Sequence, residues 1–285
     1  MNKASRAALN QPKVTAPGQR RFEVPILMYH EIAARKDSSS RLAVPPDSFA
    51  VQLEHLREAG FTGLTLTGLA SALAADPAGL PERPVVLTFD DGFADFHDAA
   101  LPLLRQYGFT ATVFVTTGWI ADAGRHAVGR RPGRMLCWNQ IREAAAAGVE
   151  IGAHSHRHPQ LDQIPLSSLR DDLVTSKSLL EDELGLAVPD MAYPYGYSNT
   201  RVRRVAAEVG YAHACAVGNV TAGPAHDTLA LPRLTIRRST RPATFDHIVC
   251  GEKESVIFLK DRSLTKGYAL VRRARAVVGG VLRSA

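Results

Sequence analysis

The run Val85-Val86-Leu87-Thr88-Phe89-Asp90-Asp91-Gly92 constrains this chain more than any other stretch. Apolar residues that lead straight into two carboxylates and a glycine read as a buried strand delivering two acids at its C-terminal end. In sheets and barrels built from βα units, that edge is where ligands bind and chemistry is done. Side chains alternate along a strand, so Asp90 and Asp91 can serve one site only if the chain bends, and Gly92 permits the bend. One carboxylate can then face a metal while its neighbour faces a water or a substrate. Taken alone, the same residues also fit a turn or an N-cap before a helix over about 95–107.

The rest of the chain alternates between strand and helix patterns. An apolar run over 25–29 ends at His30-Glu31, and residues 33–46 form a loop. Phe49, Leu53 and Leu56 recur at helical spacing up to Gly60. A strand over 64–66 and a helix over 67–74 precede the central strand. After it, strands are expected over 111–115, 149–153, 191–193, 211–217 and 229–236. Helices are expected over 95–107, 138–147, 167–184, 199–209 and from 244. The loop over 121–135 is long enough to form a rim for a site. Repeated strand–helix units with short links argue for a parallel α/β barrel or sheet of about seven units.

Two more motifs fall at strand ends. In His154-Ser155-His156-Arg157-His158 the outer histidines are four apart, on one side of a turn, and can grip one ion. With Asp91 they make a two-histidine, one-carboxylate set with open positions for water and substrate. The middle residue, His156, points away. Imidazole and carboxylate donors suit Zn2+, and also Co2+, Ni2+ or Mn2+. In Tyr193-Pro194-Tyr195-Gly196-Tyr197, proline and glycine flank aromatic residues in a rigid loop that can offer a backbone N–H and a stacking surface for a sugar. Tyr193, Pro194, Tyr197 and Trp138 are the expected substrate contacts.

Thr88-Phe-Asp-Asp-Gly92, then His154-Ser-x-x-His158, then Tyr193-Pro-Tyr-Gly196 resembles the polysaccharide deacetylases, carbohydrate esterase family four, over about residues 24–250. The resemblance implies a distorted (β/α)7 barrel. It implies Asp90 as general base, Asp91, His154 and His158 as ligands of one divalent metal, usually zinc, and the Tyr195 N–H in the oxyanion hole. Two features depart from the family pattern. Ala192 stands where many members carry an arginine that orients the base, which leaves Arg237 or Arg238 as the candidate partner of Asp90. The late Leu-x-His motif that carries the family's acid is also missing, and only His247 lies near. However, Pro25-Ile-Leu-Met-Tyr-His30 resembles the start of the rearranged subgroup of poly-N-acetylglucosamine deacetylases, which implies that His30 is the acid.

The expected organisation is a disordered segment over 1–21, a polysaccharide deacetylase catalytic domain over 22–255 and a basic amphipathic tail over 256–285. With 45% hydrophobic and 22% charged residues, the composition is that of a globular protein. The net charge of +6 lies mostly at the chain ends, so no nucleic-acid partner is expected. Cys137, Cys215 and Cys250 form neither a metal motif nor a disulfide framework. With no signal-like or membrane-spanning run, a cytoplasmic location is expected. The tail reads either as a helix packed on the barrel or a frayed end, or as a peripheral contact with an anionic membrane surface. The expected function is metal-dependent removal of N-acetyl groups from N-acetylhexosamine units of a glycan or lipid-linked sugar. O-acetyl ester cleavage or hydrolysis of a non-sugar amide at the same site, and a non-catalytic glycan-binding module, are the alternatives.

Overall fold

The computed structural model describes residues 23–34, 36–75 and 79–264. The segment over 1–21 and the distal tail over 265–285, on which the disorder and membrane expectations rest, lie outside the described residues. No helix among the described residues is long and apolar enough to cross a membrane.

The central strand β3 (Pro84–Phe89) is flanked on one edge by β1 (Ile26–Tyr29) in parallel, with Ile26 beside Val86 and Tyr29 beside Phe89. Its other edge is shared. β2 (Thr62–Leu64) pairs with the first half of β3, and β4 (Thr112–Val115) pairs with Thr88 and Phe89. Beyond β4 come β5 (Glu150–Ala153), β6 (Asp190–Ala192) and β7 (His213–Cys215), all parallel. On the far side of β1 lies β8 (Leu234–Thr235). A parallel bridge between Cys215 and Leu231 joins β7 to the residues leading into β8. Seven parallel strands, with β2 as a partial eighth, therefore curl into a distorted (β/α)7 barrel with one short seam.

Helices cover the outside: α1 (Pro46–Glu58), α3 (Leu101–Tyr107), α4 (Trp138–Ala146), α5 (Leu166–Leu184), α6 (Thr200–Val209) and α7 (Pro242–Val249), with a short α8 (Glu254–Ile257) after them. Strand alternation divides the core into two parts. Val85, Leu87 and Phe89 face outward into the larger cluster under the helices, where Tyr29, Phe49, Phe89 and Phe96 meet at ring separations of 4.9–5.8 Å. Ile26, Val86, Phe114, Ala192 and Cys215 belong to a second cluster, which they share with Leu66 and Leu69 of α2 (Leu66–Ala75). The N-terminal turn of α2 closes the floor of the barrel. The Leu66 N–H donates to Thr112 Oγ1 at 3.0 Å, and Thr67 reaches Glu150 and Asp190, the first residues of β5 and β6.

Several boundaries differ from the expected ones for identifiable reasons. The strand expected at 64–66 lies at Thr62–Leu64, because Leu66 already begins α2. The helix expected over 95–107 opens as a π-turn over Phe96–Ala100. Pro102 has no N–H for the regular ladder, and the wider turn absorbs that gap. The strands expected over 211–217 and 229–236 shrink to three and two residues. The second begins with a 3-10 turn at Thr228–Ala230, and Pro232 cannot donate to a ladder.

Candidate active site

The carboxylates of β3 arrive at the top of the barrel by the route the strand predicts. Asp90 continues the inward register of Val86 and Thr88. Asp91 takes a left-handed conformation (φ 74°), and Gly92 follows with φ 84°. A Cβ at Gly92 would lie 3.3 Å from Val115 Cγ1, so a side chain there would be both strained and crowded. The left-handed step lets two consecutive acids serve one site.

Asp91, His154 and His158 come together, with one ligand atom of each within 4.8 Å of the others. Asp91 Oδ1 lies 3.5 Å from His154 Nε2 and 3.2 Å from His158 Nε2. His154 leaves the end of β5, and its Nδ1 sits 2.8 Å from the Ala192 carbonyl of β6. A carbonyl only accepts, so Nδ1 carries the proton and Nε2 turns its lone pair toward Asp91. Burial, partly opposed by Asp90, holds the His154 pKa down at about 4, so this imidazole is a neutral donor near neutrality. His158 reaches back through a loop with two non-glycine left-handed residues, Ser155 (φ 64°) and His158 itself (φ 54°). Such conformations cost about 1–3 kcal/mol each and cluster at functional sites. The buried Oδ1 of Asp91 has no hydrogen-bond donor, although a buried carboxylate oxygen normally has one. Two imidazole nitrogens converging on a buried carboxylate oxygen are the arrangement a divalent cation would complete.

His156 points away from this set, as its position in the motif predicts, but it is buried. Its Nδ1 meets Thr117 Oγ1 at 2.9 Å. Asp90 is paired, though neither Arg237 nor Arg238 is its partner. Arg237 binds Asp261 at 2.9 and 3.0 Å, and Arg238 donates to the Ser38 and Ala43 carbonyls. The partner is Arg233, fully buried inside the barrel, whose two terminal nitrogens grip both Asp90 oxygens at 2.6 and 2.7 Å. Burial alone would raise the Asp90 pKa, but Arg233 and, more weakly, the histidines hold it well below the usual carboxylate range. The guanidinium also donates to Thr88 Oγ1 and lies over the Phe114 ring. One sequence signal could have found it: an arginine within the apolar run 229–236 must be buried, and a buried arginine needs an anion.

His30 follows β1, next to β3, and the Asp90 N–H donates to the Tyr29 carbonyl at 3.0 Å. With Asp91 and Asp95, His30 lines a cavity of about 870 Å³ that Phe93 and the loops over 31–42 and 132–134 enclose, which makes part of the 121–135 loop a rim. The buried Nδ1 of His30 has no hydrogen-bond partner. His247, by contrast, sits on α7 beside Glu252 and Lys253.

The Tyr193–Tyr197 loop divides by role. Tyr193 is fully buried and donates its hydroxyl to the Leu229 carbonyl at 2.8 Å, and Pro194 is buried behind it. Both brace the loop and present no surface to a ligand. Tyr195, left-handed at φ 61°, is half exposed and lays its ring against His158 at 4.7 Å, with Tyr197 stacked beyond it at 6.2 Å. Trp138 begins α4 and packs, half-buried, against the outer core. The tryptophan that faces the ligand set is Trp119, 4.7 Å from the His158 ring. It lies just past β4 in a segment with no motif of its own.

The polysaccharide deacetylase family model matches residues 78–214. The Streptococcus pyogenes deacetylase PplD, solved in complex with acetate, superposes with a TM-score of 0.72 at 28% identity, over 80% of this chain and 99% of that one. YxkH of Bacillus subtilis, provisionally named a polysaccharide deacetylase, is 29% identical over 191 residues, 66% of this chain and 62% of the relative. The poly-β-1,6-N-acetyl-D-glucosamine N-deacetylase of Staphylococcus aureus is 24% identical over 178 residues, 59% of this chain and 58% of the relative. The matches to these two thus span about three fifths of each relative's length. With a matching barrel and matching motifs in the matching order, the chain carries a polysaccharide deacetylase domain over residues 78–214.

Proposed function

We propose that the protein is a metal-dependent hydrolase that removes N-acetyl groups from N-acetylhexosamine units of a glycan or a lipid-linked sugar. One observation carries the reading. A carboxylate clamped by a buried arginine stands beside a cation-ready Asp91–His154–His158 set, and Asp91 shares one cavity with His30, whose buried Nδ1 has no hydrogen-bond partner. Zn2+ fits the donors best, and Co2+, Ni2+ or Mn2+ would fit as well. When bound, such an ion supplies Lewis-acid polarisation of a carbonyl and a more acidic water.

The remaining chemistry belongs to the chain. Asp90, kept ionised by Arg233, accepts the proton of the attacking water. The Tyr195 N–H faces the oxygen that gains charge, and donors of this kind typically contribute about 2.7–4 kcal/mol. His30 donates a proton to the departing amine, which is otherwise a poor leaving group. Trp119, Tyr195 and Tyr197 offer ring faces of the kind that pack against sugars. Acetate, the acid that such a reaction releases, is the molecule bound in the Streptococcus pyogenes deacetylase, and the Staphylococcus aureus relative is named for a β-1,6-linked N-acetylglucosamine polymer.

The test is mass spectrometry of a panel of N-acetylglucosamine oligomers and sugar–lipid precursors, with and without a chelator. Loss of acetyl that stops on chelation and returns with Zn2+ is the expected result. Metal-loaded protein that leaves every amide intact but cleaves acetyl esters would move the assignment to an esterase.

A further inference from the structure

We propose that Asp172 is a positioning residue for the metal-ligand loop: one buried carboxylate, delivered by α5, shapes the backbone that brings His158 back to His154. The inference rests on the reading of Asp91, His154 and His158 as ligands of a divalent ion.

Asp172 lies in the middle of α5 and is 1% exposed, so it caps neither end of its own helix. A buried charge is costly unless it is satisfied, and the only cation near it among the described residues, Arg157, is 4.0 Å away. What satisfies Asp172 is the loop. Its Oδ1 accepts the His156 N–H at 2.8 Å and its Oδ2 the Arg157 N–H at 3.2 Å. Ser155 Oγ in turn accepts the His158 N–H at 2.9 Å. Thus two of the three residues between the histidine ligands are tied to Asp172 through their N–H groups, and the third, Ser155, holds the His158 N–H.

The other face of the loop is also held. The Thr117 N–H donates to the Ser155 carbonyl at 3.2 Å and the Gly118 N–H to the His156 carbonyl at 2.9 Å. A Cβ at Gly118 would come within 2.5 Å of that carbonyl oxygen, so the approach requires glycine. That side fixes where the loop lies. Asp172 binds the amides and so dictates the left-handed turns at Ser155 and His158 that aim the second imidazole. Groups that orient ligands in this way typically change metal affinity 10–100-fold when removed.

The experiment uses full-length protein stripped with a chelator and titrated with Co2+ and Zn2+ by calorimetry, with the Co2+ absorption spectrum as a report on ligand geometry. Asp172→Asn turns one acceptor into a donor that faces the Arg157 N–H. It is expected to weaken binding of one ion about 10–100-fold and to shift the Co2+ bands. The melting temperature of the metal-free protein should change far less than metal affinity does. Asp171→Asn, which removes only an exposed partner of the Arg157 side chain, should match wild type. Ser155→Ala removes the hydroxyl that holds the His158 N–H but leaves both amides on the carboxylate, and it should weaken binding to a smaller degree. Wild-type affinity and spectrum in folded Asp172→Asn would overturn the inference. If that variant does not fold, wild-type affinity and spectrum in Asp172→Glu, whose longer side chain moves the carboxylate off both amides, would overturn it. Failure of the unmutated protein to bind either ion would instead overturn the metal reading beneath it.

Discussion

At the scale of single residues, Arg233 and His30 carry the sharpest expectations. The Asp90–Arg233 pair is buried and bidentate, so removing one partner strands a charge inside the barrel. Arg233→Met is expected to lower stability by about 3–5 kcal/mol in denaturant unfolding. Adding Asp90→Asn should recover much of that loss, because the stranded charge is then gone; a strictly additive double variant would show that the pair is not coupled. His30 is tested by leaving-group chemistry. His30→Ala should keep the metal and lose far more rate on acetamides than on activated aryl acetates, whose leaving groups need no proton. Equal losses on both substrates would make His30 a structural residue.

At the scale of elements, α2 is the piece whose attachment depends on pH. Its first turn is pinned by Thr67, which donates its hydroxyl to Asp190 at 2.6 Å and its N–H to Glu150 at 3.0 Å. Asp190 is also bound to His213 at 2.7 Å. Burial and the neighbouring Asp190 raise the Glu150 pKa well above the carboxylate range, so Glu150 is held protonated in the native state. A group with a raised native pKa binds more protons folded than unfolded. Stability must therefore fall as pH rises between its unfolded value and its native one. The melting temperature should drop from about pH 6 to about pH 9, and Glu150→Gln, which cannot ionise, should flatten that slope. An unchanged slope in the variant would place the titration elsewhere.

At the scale of the whole molecule, the site couples the strand ends. The three proposed ligands come from the ends of β3 and β5, and the pocket reaches β1 through His30. An ion that binds only the folded chain stabilises it by mass action, about 2.7 kcal/mol at a concentration one hundred times its dissociation constant. Zn2+ should raise the melting temperature of stripped protein, and His154→Ala should abolish the rise while remaining folded. A rise that survives in His154→Ala would mean that the ion binds elsewhere.

Much of this protein was legible in its sequence, because the signals are local. A buried strand that ends in Asp90-Asp91-Gly92, histidines four apart at a strand end, and strand–helix alternation each follow from periodicity or from donor geometry within a few residues. The residues that escaped are those whose meaning depends on packing. Arg233 lies far from Asp90 along the chain and meets it only because the barrel curls until β8 stands beside β1, one strand away from β3. Trp119 and Trp138 look alike as isolated aromatics, and only the path of the chain after β4 sets the first against His158 and the second on the outer core. Tyr193 reads as a sugar platform until the Leu229 carbonyl takes its hydroxyl. Short-range chemistry is written in neighbouring residues. Which distant side chain satisfies a buried charge, and which ring faces the site, is decided by the closure of the sheet, because buried polar groups bond to whatever partner the fold brings within reach.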